Sequence, residues 1–152
     1  MPNSFKVLHD IGVLPATEGS EIKFSIDEYR NHKYGSIRKY LKRESYSGPT
    51  RSGITMNGEI AIGIAKVLEQ FAQSGETVDE KELGMFAKRP GLSVKVRLTT
   101  YQGAKGIDLR EWQEDAAYKG WTKRGIRLAY KDLPQIVEFL KKMAELMPAE
   151  NK

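Results

Sequence analysis

The chain repeats itself. Sliding the 152-residue sequence against itself by 72 positions aligns two windows without a gap. Lys23 meets Lys95, Tyr29 meets Tyr101, Lys33 meets Lys105 and Arg38 meets Arg110. Tyr46, Gly48 and Thr50 meet Tyr118, Gly120 and Thr122, and Gly53-Ile54 meets Gly125-Ile126. Ile64, Leu68 and Ala72 meet Ile136, Leu140 and Ala144. Conservative pairs fill the intervals: Ile22/Val94, Phe24/Val96, Ile26/Leu98, Ile37/Leu109, Tyr40/Trp112, Arg51/Lys123 and Met56/Leu128. Coincidental strand-and-helix patterning would match apolar positions alone. Matched Gly, Arg and Tyr point to internal duplication instead.

Each unit reads alike. Ile22, Phe24 and Ile26 alternate with Lys23, Ser25 and Asp27, as Val94, Val96 and Leu98 alternate with Lys95, Arg97 and Thr99. Period-two alternation marks half-buried strands. A second strand follows a turn at Asn31 or Gly103, a third carries Ile37 or Leu109, and a fourth carries Ile54/Met56 or Ile126/Leu128. The period then changes to that of a helix. Asn57 is a suitable N-cap, Ile60, Ile64, Val67, Leu68 and Phe71 form a stripe, and Gly75 ends it. The second helix starts near Asp132-Leu133-Pro134-Gln135, with an Asp cap and a first-turn proline. Its stripe is Leu133, Ile136, Val137, Leu140, Met143 and Met147. Such stripes serve core packing far more often than ligand binding.

The expected fold is therefore α+β: two β-β-β-β-α repeats forming an intramolecular pseudo-dimer. Curved antiparallel sheets, two in number, surround helices packed at the centre. One such unit alone buries too little surface to be stable. The expected layout is an N-terminal extension over 1–21 (an added strand or hairpin), repeats over 22–74 and 93–147, a linker over 75–92 with Leu83, Met85 and Phe86 as its docking candidates, and a tail over 148–152.

Charge follows the repeat. The net charge is +5, yet residues 22–56 carry +5, residues 94–128 carry +4, and the remainder carries −4. With a pI near 9.3, an anionic partner is expected. There is no cysteine, which excludes disulfides and thiolate metal sites. No apolar run is long enough to span a membrane. MPNSFKVLHD lacks a basic segment followed by an apolar one, so no secretory leader is expected. The expected location is the cytoplasm or nucleoid, or the nucleus in a eukaryote.

The polar strand faces carry aromatics among the cations. Lys95, Arg97, Thr99 and Tyr101 share one face, as do Asp108, Arg110 and Trp112; Lys123 and Arg127 follow, with Trp121 and Arg124 in the approaching loop. The first unit offers Lys23, Tyr29, Arg38, Tyr40 and Arg51. Single-stranded nucleic acid needs such a surface, since free bases stack on rings while Lys and Arg track phosphates. A solvated face with cross-strand aromatic pairs explains each residue alone about as well. It explains less well why Arg38/Arg110 and Tyr29/Tyr101 recur with the same parity. Tyr46 and Tyr118 read as packed turn residues.

Enzyme chemistry has little to rest on. The only histidines are His9 and His32, with no HExxH spacing, and no GxGxxG or GxxxxGK[ST] occurs. His32, between Arg30 and Lys33, suits phosphate contact or exposure. Asp108 and Glu111 flank Arg110, and their simplest role is pairing with it. Glu114-Asp115 reads as a solvated loop. No enzymatic activity, metal or cofactor is expected.

DLREW and KRGIRL, residues 108–112 and 123–128, resemble the motif pair of the Positive Cofactor Four family of transcriptional coactivators. SIRKY and RSGITM, residues 36–40 and 51–56, match more loosely. The order of strands, Gly-containing loop, GI strand and terminal helix is also similar, and the N-terminal IGVL is similar to the extra strand of bacterial members. The resemblance implies a fold that binds single-stranded DNA, or melted duplex, in channels along curved sheets. It implies homodimers, here replaced by a covalent pseudo-dimer that could pair further. By position it places the motif arginine at Arg110 and Arg38, and the stacking aromatic at Tyr101 and Tyr29. The basic pair falls at Lys123-Arg124, with Arg51 alone in the first unit.

Two departures stand out. Gln113 and Leu41 replace the tryptophan that follows the family's arginine-glutamate-tyrosine, and Ser52 stands where the second unit has Arg124. They imply unequal channels, the second the tighter.

The expected interface thus comprises Lys95, Arg97, Tyr101, Lys105, Arg110, Trp112, Trp121, Lys123, Arg124 and Arg127 in the second unit. The first contributes Lys23, Tyr29, Arg30, Lys33, Arg38, Tyr40 and Arg51. Single-stranded DNA in transcription, replication, recombination or repair is the expected ligand. The alternatives are RNA, which the same platform would stack, and a module contacting a polymerase or recombination partner through the acidic linker and N-terminal extension.

Overall fold

A computed structural model describes residues 5–147; the expected tail lies outside the described residues. The elements are β1 (Lys6–Pro15), β2 (Ser20–Tyr29), β3 (His32–Lys42), β4 (Ser47–Met56), α1 (Gly58–Ser74), β5 (Lys81–Arg89), β6 (Leu92–Tyr101), β7 (Ala104–Glu114), β8 (Lys119–Ala129) and α2 (Leu133–Leu146), the last preceded by a 3-10 turn over Tyr130–Asp132. The fold is α+β.

All eight strands form one antiparallel sheet in the order β1-β2-β3-β4-β8-β7-β6-β5, not the two sheets expected. The two four-stranded meanders meet at β4 and β8, where Gly53 pairs with Gly125. Left apart, those inner strands would each expose unpaired backbone groups.

The linker expectation is corrected too, because β5 occupies Lys81–Arg89. Leu83 and Phe86 pack against the core, which outweighs the acidic residues beside them. β1 and β5 take equivalent places: His9 pairs with Ile26 and Lys81 with Leu98, and Gly12 pairs with Phe24 and Gly84 with Val96. Each pair differs from its counterpart by 72 positions, and both strands are irregular just before the glycine. The N-terminal segment therefore has a structural counterpart that the side chains alone concealed.

Residues 32–42 and 104–114 are each one strand, where two were expected. The glycines inside them mark close approach, not turns. A Cβ on Gly35 would meet the Met143 side chain of α2, and one on Gly106 would meet the Arg127 guanidinium. Two-residue hairpins precede both strands. Positive φ at Arg30, Asn31, Gln102 and Gly103 suits the turn twist that such hairpins need.

The helices form as their sequences predict. Asn57 Oδ1 accepts from the Ile60 amide at 2.9 Å, and Gly75 closes α1 at φ 71°. Asp132 makes no side-chain cap bond, because the 3-10 turn already occupies that point. Every expected stripe residue is buried or packs against the core. The helices contact each other and cross between halves. A Cβ on Gly12 in β1 would strike Phe139 of α2, and one on Gly84 in β5 would lie 3.6 Å from Val67 of α1. Phe139 also meets Phe24 of β2 edge-on at 5.1 Å. Each helix thus covers the edge of the other half's sheet, and one hydrophobic core serves both.

Candidate nucleic-acid interface

Ile107, Leu109, Val94 and Val96 are buried, which turns the alternate positions of β6 and β7 to the opposite face. There Trp112 and Trp121 sit directly across from each other, edge-on at 4.9 Å. The Lys95 ammonium lies 4.2 Å from the Trp112 ring centre, and the Arg97 guanidinium lies 4.3 Å from that of Trp121. Cation–π attraction of this kind holds rings and charges together without using up either ring's remaining surface. In the first half Lys23 lies 4.5 Å over Tyr40, the position-matched pair. Burial, with a smaller contribution from Asp27, raises the Tyr40 hydroxyl pKa, so the ring stays neutral.

Asp108 organises the arginines. It is 4% exposed. Arg110 donates to both its oxygens, at 3.2 Å and 3.0 Å, and Arg97 donates to Oδ2 at 3.0 Å. Three charge-assisted bonds compensate the buried carboxylate. Glu111 does not join them. Strand alternation puts it on the core side, where it is buried and takes the Lys88 ammonium at 2.7 Å; the expectation that it pairs with Arg110 is corrected. Arg127 Nη2 donates to the backbone carbonyls of Thr99 and Ala104, and its Nε to Thr99 Oγ1. Lys105 turns toward Tyr130, 5.8 Å from its ring centre. Tyr101 is 66% exposed at the hairpin end, and Lys123 is exposed.

The first half carries a half-open cleft of ~900 Å³. Tyr29, Lys33, Arg38 and Arg51, all expected interface residues, line it with Arg124 from the second half. Arg30 stacks its guanidinium 5.1 Å from the Tyr29 ring centre. The sequence did not indicate Tyr34, Lys88 and Arg89 as lining residues; the cleft also takes in His32 and Tyr46. Lys88 and Arg89 lie in β5, a strand hidden in an apparent linker. No carboxylate is among the described lining residues. Arg38 Nη1 donates to the Thr50 carbonyl at 3.0 Å, while its Nε is buried without a partner.

Matching loops join β3 to β4 and β7 to β8, and the first of them lines the cleft. Tyr46 donates to the Pro49 carbonyl and Tyr118 to that of Trp121, each at 2.7 Å. Gly48 and Gly120, at φ 149° and 152°, lie beneath those rings, where a Cβ would come within 3.0 Å of the hydroxyl. Asp115, expected to be merely solvated, accepts at 2.9 Å from the amides of Ala117 and Tyr118. Hydrogen bonds from Gln113 and those two amides lower its pKa.

No helix among the described residues is long and apolar enough to cross a membrane, and no cluster of three His, Asp or Glu suits a metal ion among them. A scan against protein-family models finds no match for the chain, and a search of the curated proteins finds none either.

Proposed function

We propose that this chain is a non-enzymatic single-stranded DNA-binding protein, acting in transcription, replication, recombination or repair. One observation carries this reading: a cleft lined by lysine, arginine and tyrosine, with no carboxylate among its described lining residues, shares the sheet with a cation-capped tryptophan pair. Phosphates need the first feature and unpaired bases the second. A duplex offers phosphates but keeps its bases stacked.

The tandem pseudo-dimer belongs to the same proposal. It is supported by the 72-position sequence match, the matched registers of β1 and β5, and the reciprocal packing of each helix on the other half's edge strand. On this reading the chain is a covalent counterpart of a Positive Cofactor Four homodimer. RNA is the alternative ligand, since stacking surfaces accept either sugar.

Intrinsic fluorescence tests the surface directly, because the chain's two tryptophans are both in it. Titration with unlabelled ~20-nucleotide oligothymidylate should quench the emission saturably, and added salt should reverse the quenching. Binding detected by another method without any change in emission would remove the tryptophans from the interface. Matched RNA as competitor decides the sugar preference.

A further inference from the structure

The two halves place the same residue types differently. Resting on the single-strand reading above, and against the tighter second channel that the sequence implies, we infer that the tight seat for the strand is the first-half cleft. The second half completes that cleft by lending it Arg89 and Arg124.

Three observations support this assignment. The cleft draws cations from both halves: Arg38 and Arg51 from the first, and Arg89 and Arg124 from β5 and β8 of the second, beside Lys88, which Glu111 holds. Arg51 and Arg124 are exposed, so they can follow a flexible strand.

The matching arginine of the second half is engaged. Arg110 makes two bonds to buried Asp108, and a phosphate would have to displace or share them. Ser36 stands at the position matching Asp108, and Arg38 donates instead to a neutral carbonyl. Buried Asp27 acts on Arg38 through space, but among the described residues no carboxylate hydrogen-bonds to it. A phosphate facing Arg38 therefore has no charge-assisted bond to displace, whereas one facing Arg110 does.

The matching face of the second half is also crossed by its own side chain. Arg127 spans Gly106 to reach Thr99 and Ala104. At the matching positions the first half has Thr55 and Tyr34. A threonine leaves room where the arginine fills it, and Tyr34 adds a ring to the cleft wall. Burial raises the Tyr34 pKa, which keeps that ring neutral beside the phosphate track. The tryptophan platform of the second half then serves as an extension for longer strands.

The test uses the full chain and a labelled oligothymidylate of about six nucleotides, too short to occupy both halves, beside one of about twenty. Arg51→Ala, Arg89→Ala and Arg124→Ala are compared with Lys123→Ala, which removes the second-half counterpart of Arg51. Arg51, Arg89, Arg124 and Lys123 are exposed, and circular dichroism checks that each variant folds. The expected result is a loss of about fivefold or more in hexamer affinity for the first three variants, and at least about threefold less loss for Lys123→Ala. A loss for Lys123→Ala as large as for Arg51→Ala overturns the seat while leaving single-strand binding in place. Binding of the longer oligomer with no hexamer binding overturns it as well. Binding of neither oligomer overturns both the seat and the single-strand reading.

Discussion

Gly53 of β4 faces Gly125 of β8, and through this pair two meanders become one eight-stranded sheet. Neither position has room for a side chain. A Cβ on Gly53 would lie 2.8 Å from the Ile37 carbonyl oxygen, and one on Gly125 would lie 2.7 Å from Arg110 Nη1. The first obstacle is backbone and cannot yield cheaply; the second is the Arg110 side chain, its Cγ included, which Asp108 holds in place. Gly53→Ala should therefore lower stability by ~1–3 kcal/mol, read as a reduced urea midpoint. Gly125→Ala should also lower stability, because it displaces Arg110 from buried Asp108. Equal midpoints for wild type and Gly53→Ala would show that the junction adapts.

Lys88 and Glu111 tie β5 to β7 at 2.7 Å, with a further bond from Lys88 to Thr55 Oγ1 at 3.1 Å. Glu111 is 3% exposed. Removing the lysine leaves a buried charge without its partner, which costs ~3–5 kcal/mol. Lys88→Ala should show this in chemical denaturation, and Lys88→Ala/Glu111→Gln should recover part of it. An undiminished midpoint in the single variant would contradict the burial of this pair.

Asp27 is 2% exposed and accepts from Ser25 Oγ at 2.8 Å. Burial raises its pKa above the ordinary 3.8, against the opposing pull of Ser25, Ser36 and Arg38. Folded Asp27 thus keeps its proton to higher pH than unfolded Asp27. Its contribution to stability is complete below the ordinary value and is lost as pH rises through the folded value. Asp27→Asn keeps an acceptor for Ser25 and removes the titration. Wild type should therefore gain stability relative to Asp27→Asn as pH falls from about 7 to about 4. A pH-independent difference between their melting temperatures would show that Asp27 titrates normally.

Stacking and charge should separate in a salt titration. Trp121→Ala removes a ring and should cost ~1–3 kcal/mol of affinity for a long single strand, with the salt slope unchanged. Arg51→Ala should reduce the slope by about 0.7, the value for one phosphate contact on a single strand. A changed slope for Trp121→Ala would mean that its loss acts through Lys95 and Arg97 rather than through a base.

Much of the fold was legible where chemistry is local. Asn57 and Gly75 bound α1 as their capping properties dictate, and the apolar stripes of both helices are in the core. The strand faces also follow alternation, so Lys95, Arg97, Arg110 and Trp112 share one surface. Long-range consequences were hidden. β5 lies among acidic residues, and pairing with β6 and packing on α1 make KELGMFAKR a strand. That concealed Lys88 and Arg89 as cleft residues. Adjacency in sequence points Glu111 to Arg110, but alternation sends it through the sheet to Lys88. Gly35 and Gly106 resemble turn residues until Met143 and Arg127 are seen against them.

Fluorescence anisotropy with a labelled ~20-nucleotide strand, single-stranded and as duplex, at two salt concentrations, tests single-strand recognition most directly. Tighter, salt-sensitive binding of the single strand is the predicted result, because only free bases can reach Trp112, Trp121 and the cleft tyrosines. Equal affinity for the duplex, or no binding of either, would contradict it.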